Sequence, residues 1–215
     1  MLRIQYASGL HLERYFKTPF PPIIKPKAPI LLLAGNIGRP DHRIYRDFLH
    51  YCSRSWKHTV VVAGRSELYS REITTVSAER RLGQCEAVIS EFQNVYFLER
   101  DSVTCEGVKI LGATLWSEPK SDDYRYVYTD GRLITEADTT AWYSRDSSWL
   151  KDEVASCIGP TIILTHDHCD AFPGNITVSG KLSEGIIEIG EDFRDPELIL
   201  AAADTTVYEP VTQTI

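Results

Sequence analysis

Apolar residues gather in short runs at Leu2–Ala7, Ile30–Ala34, Thr59–Ala63, Val95–Leu98, Val108–Thr114 and Thr161–Thr165. Most are continuous and β-branched or Leu-rich, the pattern of strands buried on both faces. Between them, Asp41–Trp56, Thr75–Phe92 and Ala137–Cys157 have helical character, with Trp142, Trp149, Leu150 and Val154 recurring at helix-like spacing in the last. Strand-length runs alternating with helical stretches predict an α/β domain, sheets covered by helices. Within Ser102–Thr114, the pair Glu106-Gly107 between two apolar stretches is a hairpin signal. Pro19, Pro21, Pro22, Pro26 and Pro29 exclude a regular helix between the first two strands and predict an extended surface loop. Tyr124, Tyr126 and Tyr128 alternate as in a strand, and with Trp116, Trp142 and Trp149 they are candidates for a ligand or partner surface or for ordinary packing. Beyond Phe172 the pattern weakens, leaving Glu197–Ala202 and Thr205–Tyr208 as further strand candidates.

Composition narrows the class. With 215 residues, 43% of them apolar and 25% charged, the chain suits one domain over residues 1–215 and is neither disordered nor membrane-spanning. A net charge of −7 disfavours nucleic acid. The start, Met1 to Tyr6, has no basic region followed by a long apolar stretch, so no signal peptide is expected and the location is read as intracellular, with nucleus and cytoplasm undistinguished. The five cysteines (Cys52, Cys85, Cys105, Cys157 and Cys169) are scattered and form no CxxC pair, which predicts reduced thiols rather than disulfides or a zinc knuckle.

In α/β sheets chemistry collects at the carboxyl ends of strands. The segments there are Ser8-Gly9-Leu10-His11-Leu12-Glu13, Gly35-Asn36-Ile37-Gly38, Gly64-Arg65-Ser66-Glu67, Gly112-Ala113-Thr114-Leu115-Trp116-Ser117 and Thr165-His166-Asp167-His168. In order and spacing this series resembles the calcineurin-like metallophosphoesterases over roughly residues 1–170. The resemblance implies a four-layer α/β/β/α sandwich with two mixed sheets. It also implies a dinuclear metal centre that activates water for phosphoester hydrolysis.

Laid on this chain, the family's ligand pattern places its first Asp at Gly9, the paired His at His11, the bridging Asp at Asn36, its Asn-His pair at Arg65 and Ser66, and a later His at His166. The closing Gly-His-x-His has no counterpart in Leu198–Tyr208, and no histidine follows His168. Two dications ~3.5 Å apart repel by on the order of 19 kcal/mol at an effective dielectric near 20, so bridging carboxylates are a physical requirement. Asn36 offers only a neutral oxygen, and Arg65 brings a permanent positive charge.

The expectation is therefore a catalytically inactive relative, a pseudoenzyme without metal cofactor. It would act as a scaffold for a protein partner or for a second copy of itself, alone or within a larger assembly. The alternative is a residual phosphoesterase with a single Mn, Zn or Fe held by His11, Asn36, His166, Asp167 or His168. Arg65 has two readings: an anion pocket for a small phosphate-bearing ligand, or a salt bridge to Glu67 or Asp167 that closes the site. No nucleophile turn accompanies Asp146, Ser147 and His166, which argues against a hydrolytic triad.

Overall fold

The computed structural model describes residues 2–14, 24–70, 75–116, 122–167 and 175–180, and the backbone of 184–189. Its first half contains β1 (Leu2–Ala7), β2 (Ile30–Ala34), α1 (Arg43–Ser55), β3 (His58–Val62), α2 (Arg65–Leu68), α3 (Ala78–Ile89), β4 (Val95–Phe97), β5 (Asp101–Cys105) and β6 (Val108–Ala113). There follow α4 (Asp123–Tyr126), β7 (Tyr128–Thr129), β8 (Arg132–Leu133), α5 (Glu136–Ser156), β9 (Thr161–Thr165), β10 (Ile176–Ser179) and β11 (Glu184–Ile189).

Two mixed sheets form, ordered β11-β1-β2-β3-β4 and β10-β9-β6-β5, beside the small β7-β8 pair. Strands β1 to β4 run parallel, with β11 antiparallel to β1. In the second sheet β6, β9 and β10 are parallel and β5 returns antiparallel through the Glu106-Gly107 turn. Both turn residues have positive φ, 52° and 80°, as a type I′ hairpin requires.

Side-chain alternation explains why these runs are apolar throughout. Ile30, Leu32 and Ala34 join Val60, Ile110, Ile162 and Leu164 in a core shared by both sheets, whereas Leu31 and Leu33 pack with Tyr45, Phe48 and Leu49 of α1. Leu111 and Ile163, on the far side of the second sheet, meet Leu150 of α5. β2 and β9, buried at every residue, thus feed two cores and have no solvent face. Cys52, Cys85, Cys105 and Cys157 carry free thiols.

Two expectations are corrected. Tyr124, Tyr126 and Tyr128 do not share a strand: Asp123–Tyr126 is one helical turn, closed by Arg125 and Tyr126 N–H bonds to the Asp122 carbonyl. The turn wins because it buries Asp123 completely against a cation described below. Strands β10 and β11 extend the sheets where the apolar pattern was too short to announce them. The strand candidates Glu197–Ala202 and Thr205–Tyr208 and the prolines at 19, 21 and 22 lie outside the described residues.

Asp41, before α1, pairs with its neighbour Arg39 at 2.7 Å and ties that region to α3 through the buried Arg81 at 2.8 Å. Burial alone would raise the Asp41 carboxyl, but hydrogen bonds and charge from Arg39 and Arg81 outweigh it and pull it down to about 2, from an ordinary 3.8. A depressed carboxylate adds stability that is complete above the unfolded value and is lost as pH falls through the folded one. Asp41→Asn should accordingly flatten the acid limb of the stability curve between 3.8 and about 2, as read by denaturant titrations at several pH values.

Candidate functional site

The turns after β1, β2, β3, β9 and β10 come together at one end of the sheets. The Ser8 hydroxyl lies within hydrogen-bond distance of the carbonyls of Ala34 (3.2 Å), Gly35 (3.2 Å) and Gly180 (2.8 Å), joining three strand ends. Backbone bonds Gly9 N–H to Gly35 O (3.2 Å) and His11 N–H to Asn36 O (3.0 Å) bind the first two turns side by side. Approach is so close that a Cβ on Gly64 would sit 2.4 Å from the Asn36 nitrogen, and one on Gly180 would sit 2.4 Å from His166 Nδ1. Gly64→Ala should cost about 1–3 kcal/mol, as overpacking against backbone does, and urea denaturation measures it.

Arg65, at the start of α2, is 3% exposed and lies at the centre. Its Nη1 donates to Asp123 Oδ2 and its Nη2 to Asp167 Oδ2, while Nε reaches Asp167 Oδ1 at 3.4 Å. The guanidinium carbon stands 5.3 Å from the centroid of the Trp116 ring. Asp123 also accepts from the Tyr69 hydroxyl at 3.1 Å. Burial acts to lower the Arg65 pKa, but Asp167 and Asp123 outweigh it and leave the group above its ordinary value. Burial followed by the charge of Asp123 pushes the Tyr69 phenol up. Of the two readings of Arg65, the salt bridge to Asp167 forms; a pairing with Glu67 does not appear among the ion pairs of the described residues.

Glu67 has another task. Buried to 1% exposure, it accepts backbone N–H bonds from Gly64 (2.8 Å), Asn36 (2.9 Å), Gly38 (3.0 Å) and Ile37. A carboxylate one helical turn past Gly64 reaches back to that N–H, and its second oxygen gathers the turn after β2. This fixes Asn36 at a φ of 54°, a conformation asparagine tolerates better than most residues. Asn36 Oδ1 then accepts both the Ser66 N–H (2.9 Å) and the Ser66 hydroxyl (2.8 Å).

The two histidines do not share a partner. Buried His166 directs Nδ1 at the Ala34 carbonyl, 2.9 Å away, so that nitrogen carries a proton and donates. His11 turns to Glu13 instead, with Nδ1 3.1 Å from Oε1. Gly9, where the family resemblance sets an aspartate, is exposed at a φ of 67°. Among the described residues no three His, Cys, Asp or Glu side chains are grouped so as to hold a metal ion. His168 and Leu198–Tyr208 lie outside the described residues. Asp146 is bound to Arg100 at 3.0 Å and to the Leu115 N–H at 3.2 Å, so it belongs to another network than His166.

Asp123 was absent from the sequence-derived set. It lies 58 residues from Arg65, and no spacing rule links an aspartate to so distant a cation. Among the described residues no helix is long and apolar enough to cross a membrane.

No family model matches the chain. Uncharacterized protein L509 of Acanthamoeba polyphaga mimivirus is 27% identical to it over 160 residues, 68% of this chain. The chain spans 57% of the length of that relative. Among solved structures, phosphopantetheinyl hydrolase (PptH) from Mycobacterium tuberculosis aligns with a TM-score of 0.52 and 17% identity, over 76% of this chain and 67% of that one. At this identity the similarity is one of fold alone, a mixed α/β architecture.

Proposed function

We propose that the chain is a pseudoenzyme of the metallophosphoesterase type, a four-layer α/β/β/α sandwich in which a guanidinium–carboxylate knot stands where the family keeps its metals. It would work as a binding or scaffold protein, for a protein partner or a second copy of itself, and not as a phosphoesterase. The layering draws support from a core shared by two sheets, with helices against their outer faces. The similarity to PptH supports the same architecture.

One observation carries the reading: buried Arg65 lies between Asp123 and Asp167. A metal pair needs anionic bridges, and the carboxylates nearby are committed elsewhere. Asp123 and Asp167 hold Arg65, Glu67 holds backbone N–H groups, and the neutral Asn36 oxygen holds Ser66. A dication would also meet a guanidinium that does not deprotonate. Among the described residues the donor set does not fit two divalent ions, and the pairing of Arg65 argues equally against a phosphate bound through it.

A residual single-metal hydrolase remains the second reading, because His166 spends Nδ1 on the Ala34 carbonyl and Nε2 is the nitrogen left for a ligand, the arrangement of metal-binding histidines with a backbone-bound Nδ1. Turnover of an aryl phosphate ester with added Mn, Zn or Fe separates the two. The scaffold reading expects no rate above that of metal alone. Metal-dependent turnover abolished by His166→Ala would establish the hydrolase.

A further inference from the structure

Near the Arg65 knot, with Trp116 in its wall, lies a cavity of about 400 Å³. We infer that it is a binding site for a small organic cation, an ammonium carried on an apolar or aromatic body. Its size falls within the range of ligand pockets, and its wall is mixed in a particular way. The Trp116 and Trp142 rings meet edge to face with centroids 5.0 Å apart, and Leu82 and Phe97 continue the apolar surface. Tryptophan faces attract cations, and the Trp116 ring already has the Arg65 guanidinium 5.3 Å from its centroid.

Charge on the remaining wall selects the sign. Arg100 and Arg145 line the cavity, but each is matched from within the protein. Arg100 reaches Glu99 and, at 3.0 Å, the fully buried Asp146; Arg145 reaches Asp146 at 3.2 Å and Glu99 at 3.8 Å. Two guanidiniums are thereby balanced by two carboxylates. Three more lining carboxylates, Glu79, Glu86 and Asp101, have no ion pair among the described residues. Glu79 accepts only the Thr129 hydroxyl, at 3.2 Å, and Asp101 its neighbour's N–H, at 2.7 Å. An anionic ligand would enter a field of surplus negative charge, whereas a cation would neutralise it.

The cavity also communicates with the knot. Thr114 donates its hydroxyl to Glu99 at 3.2 Å, and its carbonyl accepts the His166 and Asp167 N–H groups at 3.3 and 3.2 Å. An occupant pressed on Trp116 would therefore bear on the same ring that supports Arg65.

The probe is tryptamine, with indole-3-propionate as a body of matching shape and opposite charge, each titrated into the 15N-labelled full chain while the indole N–H signals are followed. Saturable shifts with tryptamine and none with the anion are expected. Trp142→Leu should weaken tryptamine by about tenfold, the loss of one cation–π wall. Because that variant removes packing, Glu86→Gln with Asp101→Asn provides a surface test, expected to weaken binding and to reduce its salt dependence. Equal or tighter binding of indole-3-propionate, no saturable tryptamine shift, or tryptamine binding indifferent to the Glu86 and Asp101 changes would overturn the assignment.

Discussion

Arg65→Met should lower the unfolding free energy by about 3–5 kcal/mol, the cost of leaving buried carboxylates without their cation. Asp123 is fully buried and Asp167 is 5% exposed, so water cannot take the place of the guanidinium. Methionine keeps much of the stem and so isolates the loss of charge from the loss of volume. The informative comparison adds Asp123→Asn and Asp167→Asn to Arg65→Met. If the three groups act as one unit, removing the stranded charges recovers most of the stability, and the changes are strongly non-additive. Arg65→Lys should recover little, because a single ammonium cannot span two carboxylates as a fork does. Urea midpoints at constant slope report each step. An Arg65→Met variant as stable as the parent would mean that the knot is not what holds α2, α4 and the turn after β9 together.

Glu67→Gln should cost about 3 kcal/mol, although it changes only one atom. The carboxylate accepts four backbone N–H bonds. Glutamine supplies a single carbonyl oxygen and turns an NH2 group toward N–H groups, and each buried donor left without an acceptor costs about 1–3 kcal/mol. The effect should be local before it is global. Amide hydrogen exchange at Asn36, Ile37, Gly38 and Gly64 should accelerate more than exchange in β2 and β3, since the turns would open below the free energy of global unfolding. Unchanged protection at these four amides would remove Glu67 from its role as the anchor of the turn.

The chain reveals its sheets more readily than its site. β1, β2 and β9 coincide with the apolar runs; in β2 and β9, buried at every residue, no charged residue blurs the ends, and β1 is legible in spite of Arg3 and Gln5. β10 reads Ile-Thr-Val-Ser and lies at an edge, where one apolar face is enough, so its pattern is too short to stand out. The tyrosines at 124, 126 and 128 show the limit of period-two reading. Local alternation suggested a strand, but the burial of Asp123 against Arg65 favours a helical turn. Within the site, the positions of Arg65, Asn36, Ser66 and His166 follow from turns after strands, and they do meet there. What each side chain does was less legible. Glu67 suits Arg65 by charge, yet the N–H groups of its own helical turn and of the turn after β2 are closer, and they take both oxygens. Asp123 depends on a tertiary contact alone.

The most direct measurement is the metal content of the full chain purified without chelator, by elemental mass spectrometry. With Arg65 serving as the internal cation for Asp123 and Asp167, manganese, zinc and iron should each be found well below one per chain. One or two equivalents that survive dialysis would contradict the account and place a working metal centre where the knot is drawn.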